Sequence, residues 1–308
     1  MTFGEYWPTY KAKKRGFVKE TSLAAYSMNW YTHLEPFFRN VDMGDMKNST
    51  LQKYVDAKVA DGLSIHTIQD HIVVLKNMLK LWSLDQDRPL LSFTIIWPTK
   101  SCRPQKEREK YTNKELETLI DYCKESSSHF DKIIALGALT GLRIGELSGL
   151  QFGDFDFDKG CISVRRTVGR IYDGKGKTSL YVNPPKCGAS ERSIPIPSWL
   201  GKYFKNYQKL YKVSDEQYIS AACSTDETPF IEPRTLRCKF KTLCEKLGIP
   251  YKSFHSLRHT YASRLLQAKV DIRTTAELLG HSDAQTTLNI YAHSDDDAKR
   301  AAAKKIFL

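Results

Sequence analysis

A third of the way along this chain, thirteen residues, Pro98-Thr-Lys-Ser-Cys-Arg-Pro104-Gln-Lys-Glu-Arg-Glu-Lys110, carry two prolines, a majority of charged side chains and no apolar periodicity. No helix or strand passing through such a stretch has a face to bury, so the apolar residues on either side must build separate cores. The 308 residues of the sequence suit roughly two domains of about 150 residues each. We expect residues 1–97 to form the first, 98–110 a linker and 111–308 the second.

Before the break, apolar residues recur every three or four positions and never alternate. Thr21 or Ser22 is expected to cap a helix carrying Leu23, Tyr26, Trp30 and Leu34. Ser49 or Thr50 opens another, with Leu51, Tyr54, Val55 and Val59, that stops at Asp61-Gly62. Ser64 starts a third, through Ile68, Ile72, Leu75, Leu79 and Trp82. The pattern predicts a small helical bundle.

After the break, Thr112-Asn-Lys-Glu115 has the form of a capping box, so a helix begins at about Asn113, and helical spacing continues to residue 150. Cys161-Ile-Ser-Val164, Thr178-Ser-Leu-Tyr-Val182 and Arg192-Ser-Ile-Pro-Ile196 then alternate like short strands, with turns at Asp173-Gly-Lys-Gly176 and Lys186-Cys-Gly188. Three antiparallel strands are the economical arrangement. From Pro233 onward the pattern is helical again, to Ile306. The fold class is mostly α with a small antiparallel β-sheet (α+β).

With 47 Lys+Arg against 35 Asp+Glu the net charge is +12, which suits an anionic partner, nucleic acid first among them. Composition that is 41% hydrophobic, with 14 Phe, 16 Tyr and 5 Trp, excludes a disordered basic tail. Lys11, Lys13, Lys14 and Arg15 cluster ahead of the first capped helix, where they either touch phosphates or form a solvated turn. The start of the sequence lacks the basic and apolar regions of an export signal, and the longest apolar run, Ile133 to Leu139, is far too short to span a membrane. Seven cysteines, an odd number with no Cys-x-x-Cys pair, read as reduced thiols rather than disulfides or a zinc site. A cytoplasmic protein with no metal and no cofactor is expected.

The densest chemistry lies in His255-Ser-Leu-Arg258-His259-Thr260, Leu278-Leu-Gly280-His281 and Tyr291. On a helix His255 and Arg258 share a side and can face one anion; His259 has packed neighbours and reads as structural. Upstream, Leu139-Thr-Gly-Leu-Arg143-Ile-Gly-Glu146-Leu interrupts an apolar helix and sets Arg143 at the start of the next turn, where free amides and a guanidinium can cradle phosphate. Glu146 can orient that arginine or the histidines, or be an ordinary exposed carboxylate.

Each motif alone is weak. Their order and spacing together closely resemble the tyrosine recombinase (phage integrase) family, of simple-site, Xer-like size. The resemblance implies a helical core-binding domain, opened here by Thr2-Phe3-Gly-Glu5-Tyr6-Trp7, and an integrase-type catalytic domain from residue 111 to the end. It implies that Tyr291 attacks phosphorus to give a 3′-phosphotyrosyl link, that Arg143, Arg258, His255 and His281 stabilise the transition state, and that Lys186, in the turn before the Arg192-Ser-Ile-Pro195 strand, protonates the leaving 5′-oxygen. Lys175 and Lys177 lie in a neighbouring loop and compete for that assignment. The family's chemistry uses neither metal nor ATP, since positioned arginines supply the positive charge. It also implies a clamp around double-stranded DNA at specific recombination sites and a tetramer assembled there, in which the apolar end Ile306-Phe307-Leu308 docks on a neighbouring protomer or on its own domain.

Two other functions fit parts of this pattern. A type IB topoisomerase-like enzyme also uses a tyrosine among cations, but fits the Leu-Gly-His motif and the separate helical domain less well. A DNA-binding regulator on the same fold is disfavoured because Arg143, Lys186, His255, Arg258, His281 and Tyr291 are all present.

Overall fold

The computed structural model describes residues 1–98, 109–172, 178–183, 191–221, 229–281 and 288. Lys175, Lys177, Lys186, Tyr291, the chain end around Ile306 and most of the expected linker lie outside the described residues. The chain divides into two compact units, residues 1–107 with 170–180, and residues 108–169 with 181–308.

In the first unit, α1 (Phe3–Lys14) opens with a capping box: the Thr2 hydroxyl accepts the Glu5 N–H, and the Glu5 carboxylate accepts the Thr2 N–H. α2 (Glu20–Asn29) runs through a π-helical turn, Trp30–Leu34, into α3 (Glu35–Phe38). Pro36 brings no N–H and its ring crowds the carbonyl one turn back, which is where the helix widens. α4 (Asn48–Ala60) and α5 (Ile65–Asp85) complete the bundle. Ser64 caps α5 as expected, accepting the Thr67 N–H. The expected caps of α2 and α4 sit inside their first turns instead: the helices begin at Glu20 and Asn48, and neither N-cap, Lys19 or Lys47, makes a side-chain bond. Burial of the next turn, not a capping hydroxyl, sets these starts. The core stacks Trp7 on Trp30, ring centroids 5.0 Å apart, among Phe3, Leu34, Phe38, Tyr54 and Met78.

The basic cluster belongs to the end of α1, not to a free turn. Lys11, Lys13 and Lys14 lie in its last turn and Arg15 is its C-cap, where cations offset the negative end of the helix. Lys13 pairs with Asp85, which also accepts the Tyr6 hydroxyl at 2.6 Å.

In the second unit, Thr112 and Glu115 form the expected capping box at the start of α6 (Asn113–Glu125). The next helix, α7 (His129–Thr140), is buried on nearly every side and organises the core, with Ile133 and Leu136 among Leu147, Ile162, Ile194, Phe204, Phe240 and Leu257. Burying each such side chain stabilises the fold by about 1.5–3 kcal/mol. α7 gives way at Gly141 to the short α8 (Ile144–Ser148).

The sheet differs from expectation. β1 (Phe155–Asp156), β2 (Cys161–Val164) and β5 (Arg192–Pro195) form an antiparallel sheet in the order β1-β2-β5, with Ile162 opposite both Phe155 and Ile194. β3 (Thr167–Tyr172) and β4 (Thr178–Asn183) pair with each other in a separate two-stranded sheet. The strand expected at 178–182 therefore does not join its two predicted partners, because β4 buries no residue and has no apolar face to add to the core. α9 (Ser198–Tyr211) follows, in a stretch whose pattern leaves it unassigned; then α10 (Pro233–Lys246), α11 (Phe254–Gln267) and α12 (Ile272–Leu279). Among the described residues no helix is long and apolar enough to cross a membrane.

Candidate active site

The site is organised by the carboxyl end of α12. Gly280 takes the left-handed conformation there, φ +63°, so that its N–H and that of His281 turn back onto the helix and its last carbonyls are left pointing outward. Carbonyls at a helix end lack partners in the helix and carry its negative pole. Three successive ones each receive a guanidinium. Arg192 Nε donates to Leu278 at 2.8 Å, Arg258 Nη2 to Leu279 at 2.5 Å, and Arg143 Nη2 to Gly280 at 3.0 Å. The cations come from β5, from α11 and from the N-cap of α8, and the Leu-Leu-Gly segment collects them.

Glu146, on α8, is buried and lies between two of these cations. Its Oε1 accepts Arg143 Nη1 at 2.8 Å and Arg192 Nη1 at 3.3 Å; its Oε2 accepts the Arg143 backbone N–H at 2.9 Å and Arg192 Nη2 at 2.8 Å. It is not the exposed carboxylate of the alternative reading. Burial works against its charge, but the hydrogen-bonded Arg192 guanidinium and the Coulombic pull of Arg192 and Arg143 prevail, leaving its pKa below the usual carboxylate range. The same carboxylate accepts the Arg143 N–H at the start of α8, so that amide is already engaged. What α8 presents outward is the Arg143 side chain, 42% exposed.

Arg258 is buried at 3% exposure and also donates to the Gly141 carbonyl through Nη1 at 2.8 Å. Burial, then the nearby Arg143 charge, push its pKa down to about 9, which leaves it protonated at neutral pH. His255, in the first turn of α11, is exposed, and its ring meets that of His259 edge-on at 4.4 Å. His259 is buried, as its packed neighbours suggest. The pKa of His281 falls to about 4 through burial and then repulsion from Arg258, Arg143, Arg192 and His255. That repulsion sets all five side chains in one electrostatic neighbourhood.

Of the residues singled out from sequence, Arg143, Glu146, His255, Arg258 and His281 thus gather in the second unit, while Lys186 and Tyr291 lie outside the described residues. The lysine-arginine cluster of α1 belongs to the first unit. Arg192 was legible only as a strand residue; its signal, an arginine beginning a strand after a Gly- and Lys-containing turn, names no partner. Among the described residues no group of three or more His, Cys, Asp or Glu is placed to hold a metal ion. The arrangement concentrates permanent positive charge around one exposed guanidinium and a neutral imidazole, a receptor suited to a phosphodiester oxygen.

Comparison with known proteins agrees with this architecture. The phage integrase family model matches residues 109–298, and the N-terminal SAM-like domain of phage integrases matches residues 2–59. The chain is 30% identical over 287 residues to a XerC-like tyrosine recombinase of Caldanaerobacter subterraneus subsp. tengcongensis, covering 85% of this chain and 72% of that protein. It is 24% identical over 328 residues to the integrase of Staphylococcus phage L54a, covering 97% and 90%. Its fold is similar to that of the Tn1549 transposon integrase solved with transposon right end DNA, with a TM-score of 0.73 at 21% identity over 100% of both chains.

This chain belongs to the phage integrase family. It is a tyrosine-type site-specific recombinase, and the topoisomerase and regulator readings are not favoured.

Proposed function

We propose that this protein breaks and rejoins double-stranded DNA at specific recombination sites, with Tyr291 as nucleophile and the α12 arginine cluster as the receptor for the scissile phosphate. The observation that carries this reading is the delivery of Arg143 and Arg258 to consecutive carbonyls, immediately before His281.

A phosphodiester repels nucleophiles, and its five-coordinate transition state gathers further negative charge on the non-bridging oxygens. Fixed guanidiniums stabilise that charge without reorganising, which is the most effective form of electrostatic catalysis. Tyr291 Oη gives up its phenolic proton to a neutral imidazole of the site and attacks phosphorus, the bond from phosphorus to O5′ breaks, and Lys186 donates the proton that O5′ takes up. The energy of the broken ester is kept in the 3′-phosphotyrosyl bond, so a 5′-hydroxyl from another strand reverses the step and joins the new partner. His255 and His281 bond the phosphate oxygens and move protons. Glu146 supports Arg143. The anionic ligand would raise the pKa of His281 from its low value in the free protein, so binding and proton uptake are coupled.

On the same reading, residues 1–97 form a core-binding domain, 98–110 a linker and 111–308 the catalytic domain. Lys11, Lys13, Lys14 and Arg15 contact DNA phosphates, the active assembly is a tetramer on DNA, and the protein works in the cytoplasm on the nucleoid.

A nicked suicide substrate carrying the recombination site tests the chemistry. A covalent protein-DNA band is expected with the native protein and none with Tyr291→Phe; a band that survives that substitution refutes the nucleophile. Supercoil relaxation independent of paired sites would instead favour a topoisomerase.

A further inference from the structure

We propose that Arg192 is a positioning residue for strand cleavage, acting through Glu146 on Arg143 and through the Leu278 carbonyl on the turn that carries His281. This rests on the recombination chemistry proposed above.

The side chain of Arg192 is 6% exposed, against 42% for Arg143, so it sits behind the receptor rather than at its mouth. Its donors are directed at the protein: both terminal nitrogens at the two oxygens of Glu146, and Nε at Leu278. Each Glu146 oxygen therefore divides itself between one N–H of Arg192 and one of Arg143. A single negative charge shared by two guanidiniums neutralises neither, and Arg143 keeps positive charge for a ligand while its fork is held in place.

Without Arg192 the whole carboxylate charge would fall on Arg143, drawing its guanidinium back and cancelling the charge it offers. A buried carboxylate stripped of one partner also becomes costly to keep. The bond to Leu278 has a second effect, because Leu278 lies three residues before His281 and shares the helix end with the carbonyls that hold Arg258 and Arg143. The backbone is shaped around this arginine as well. A Cβ on Gly280 would lie 2.7 Å from Arg192 Nη1, so the turn before His281 has room for the guanidinium only because residue 280 lacks a side chain.

The test is single-turnover cleavage of the suicide substrate by the full chain, with DNA affinity and melting temperature measured beside it. Arg192→Gln is expected to slow covalent adduct formation roughly 10–100-fold, the scale on which a misplaced catalytic group acts. DNA affinity should stay within about threefold, because the loss falls on the transition state and not on ground-state binding. In a Glu146→Gln background the same change should cost less than about threefold, since there is no carboxylate charge left to share. Equal losses in both backgrounds would overturn the mechanism, as would an unchanged rate. Arg192→Lys guards against misfolding: it keeps the charge but cannot reach Glu146 and Leu278 together, so it should remain slow, and cleavage at the native rate would overturn the proposal. A native protein that forms no adduct at all fails the recombination reading itself, and does so before any variant is compared.

Discussion

Arg258 and Leu279 are joined by a bond from guanidinium to carbonyl, and the other arm of Arg258 holds the Gly141 carbonyl, so one buried side chain of α11 fastens the ends of α7 and α12 together. The same group is structural strut and proposed phosphate ligand. The consequences of replacing it differ from those of replacing Arg143, which is half-exposed.

Arg258→Lys should lose both catalysis and stability, since an ammonium cannot serve two carbonyls in the fork geometry. Adduct formation should fall about 10²–10³-fold, the usual cost of removing one donor to a developing oxyanion. Arg143→Lys should cost a similar factor in rate but little in melting temperature. Comparable melting temperatures for the two variants would show that burial of Arg258 does not matter in the way described.

Gly280→Ala should destabilise more than Gly160→Ala. Both glycines have positive φ, +63° and +65°, but nothing lies within 4 Å of a Cβ at residue 160, whereas at 280 it meets Arg192. The control should cost about 1 kcal/mol for backbone conformation alone, and Gly280→Ala should exceed it and slow cleavage. Urea unfolding of the two proteins measures the difference.

The pH dependence of stability follows from His281. Its folded pKa, about 4, lies below the ordinary 6.5, so between these values the unfolded chain binds a proton that the folded chain does not. Stability is then fully present above pH 6.5 and declines as pH falls towards 4. His71, buried in the first unit with a pKa also near 4, adds a slope of the same sign. His281→Gln should flatten the curve by about one proton over this window. An unchanged slope would place His281 in contact with solvent or an anion in the free protein.

Binding of duplex DNA should weaken steeply with salt. If the end of α1 meets phosphates, Lys14→Gln should reduce the slope of log affinity against log salt by about 1. Lys13→Gln should do less, because that ammonium is already engaged by Asp85. Fluorescence anisotropy across a salt series distinguishes the two, and equal slopes for native and both variants would detach the cluster from DNA.

The sequence was informative wherever a local pattern is sufficient. Thr112 and Glu115 are three residues apart and define a capping box on their own, and Ser64 caps α5 for the same local reason. Leu-Gly-His was visible as a motif, yet nothing in its spelling says that its carbonyls are the functional groups. Glu146 and Arg192 are separated by 46 residues, and a buried charge pair leaves no periodic trace, so neither the burial of the one nor the role of the other could be read in advance. The pairing of β4 was missed because strand alternation gives a face but not a partner, and β4 turns out to have no buried face at all.

The three carbonyls at the end of α12 are consecutive, so their directions relative to one another follow from the register of the helix. Adding or deleting one residue ahead of Gly280 would turn the helix end by about 100° and release every guanidinium at once, with no partly assembled arrangement in between. Descendants of this sequence are therefore freer to change the exposed amino acids of α12 than its length, and anyone retargeting the enzyme to new DNA can redesign around this helix as long as its register and its buried Thr275, Ala276 and Leu279 are left alone.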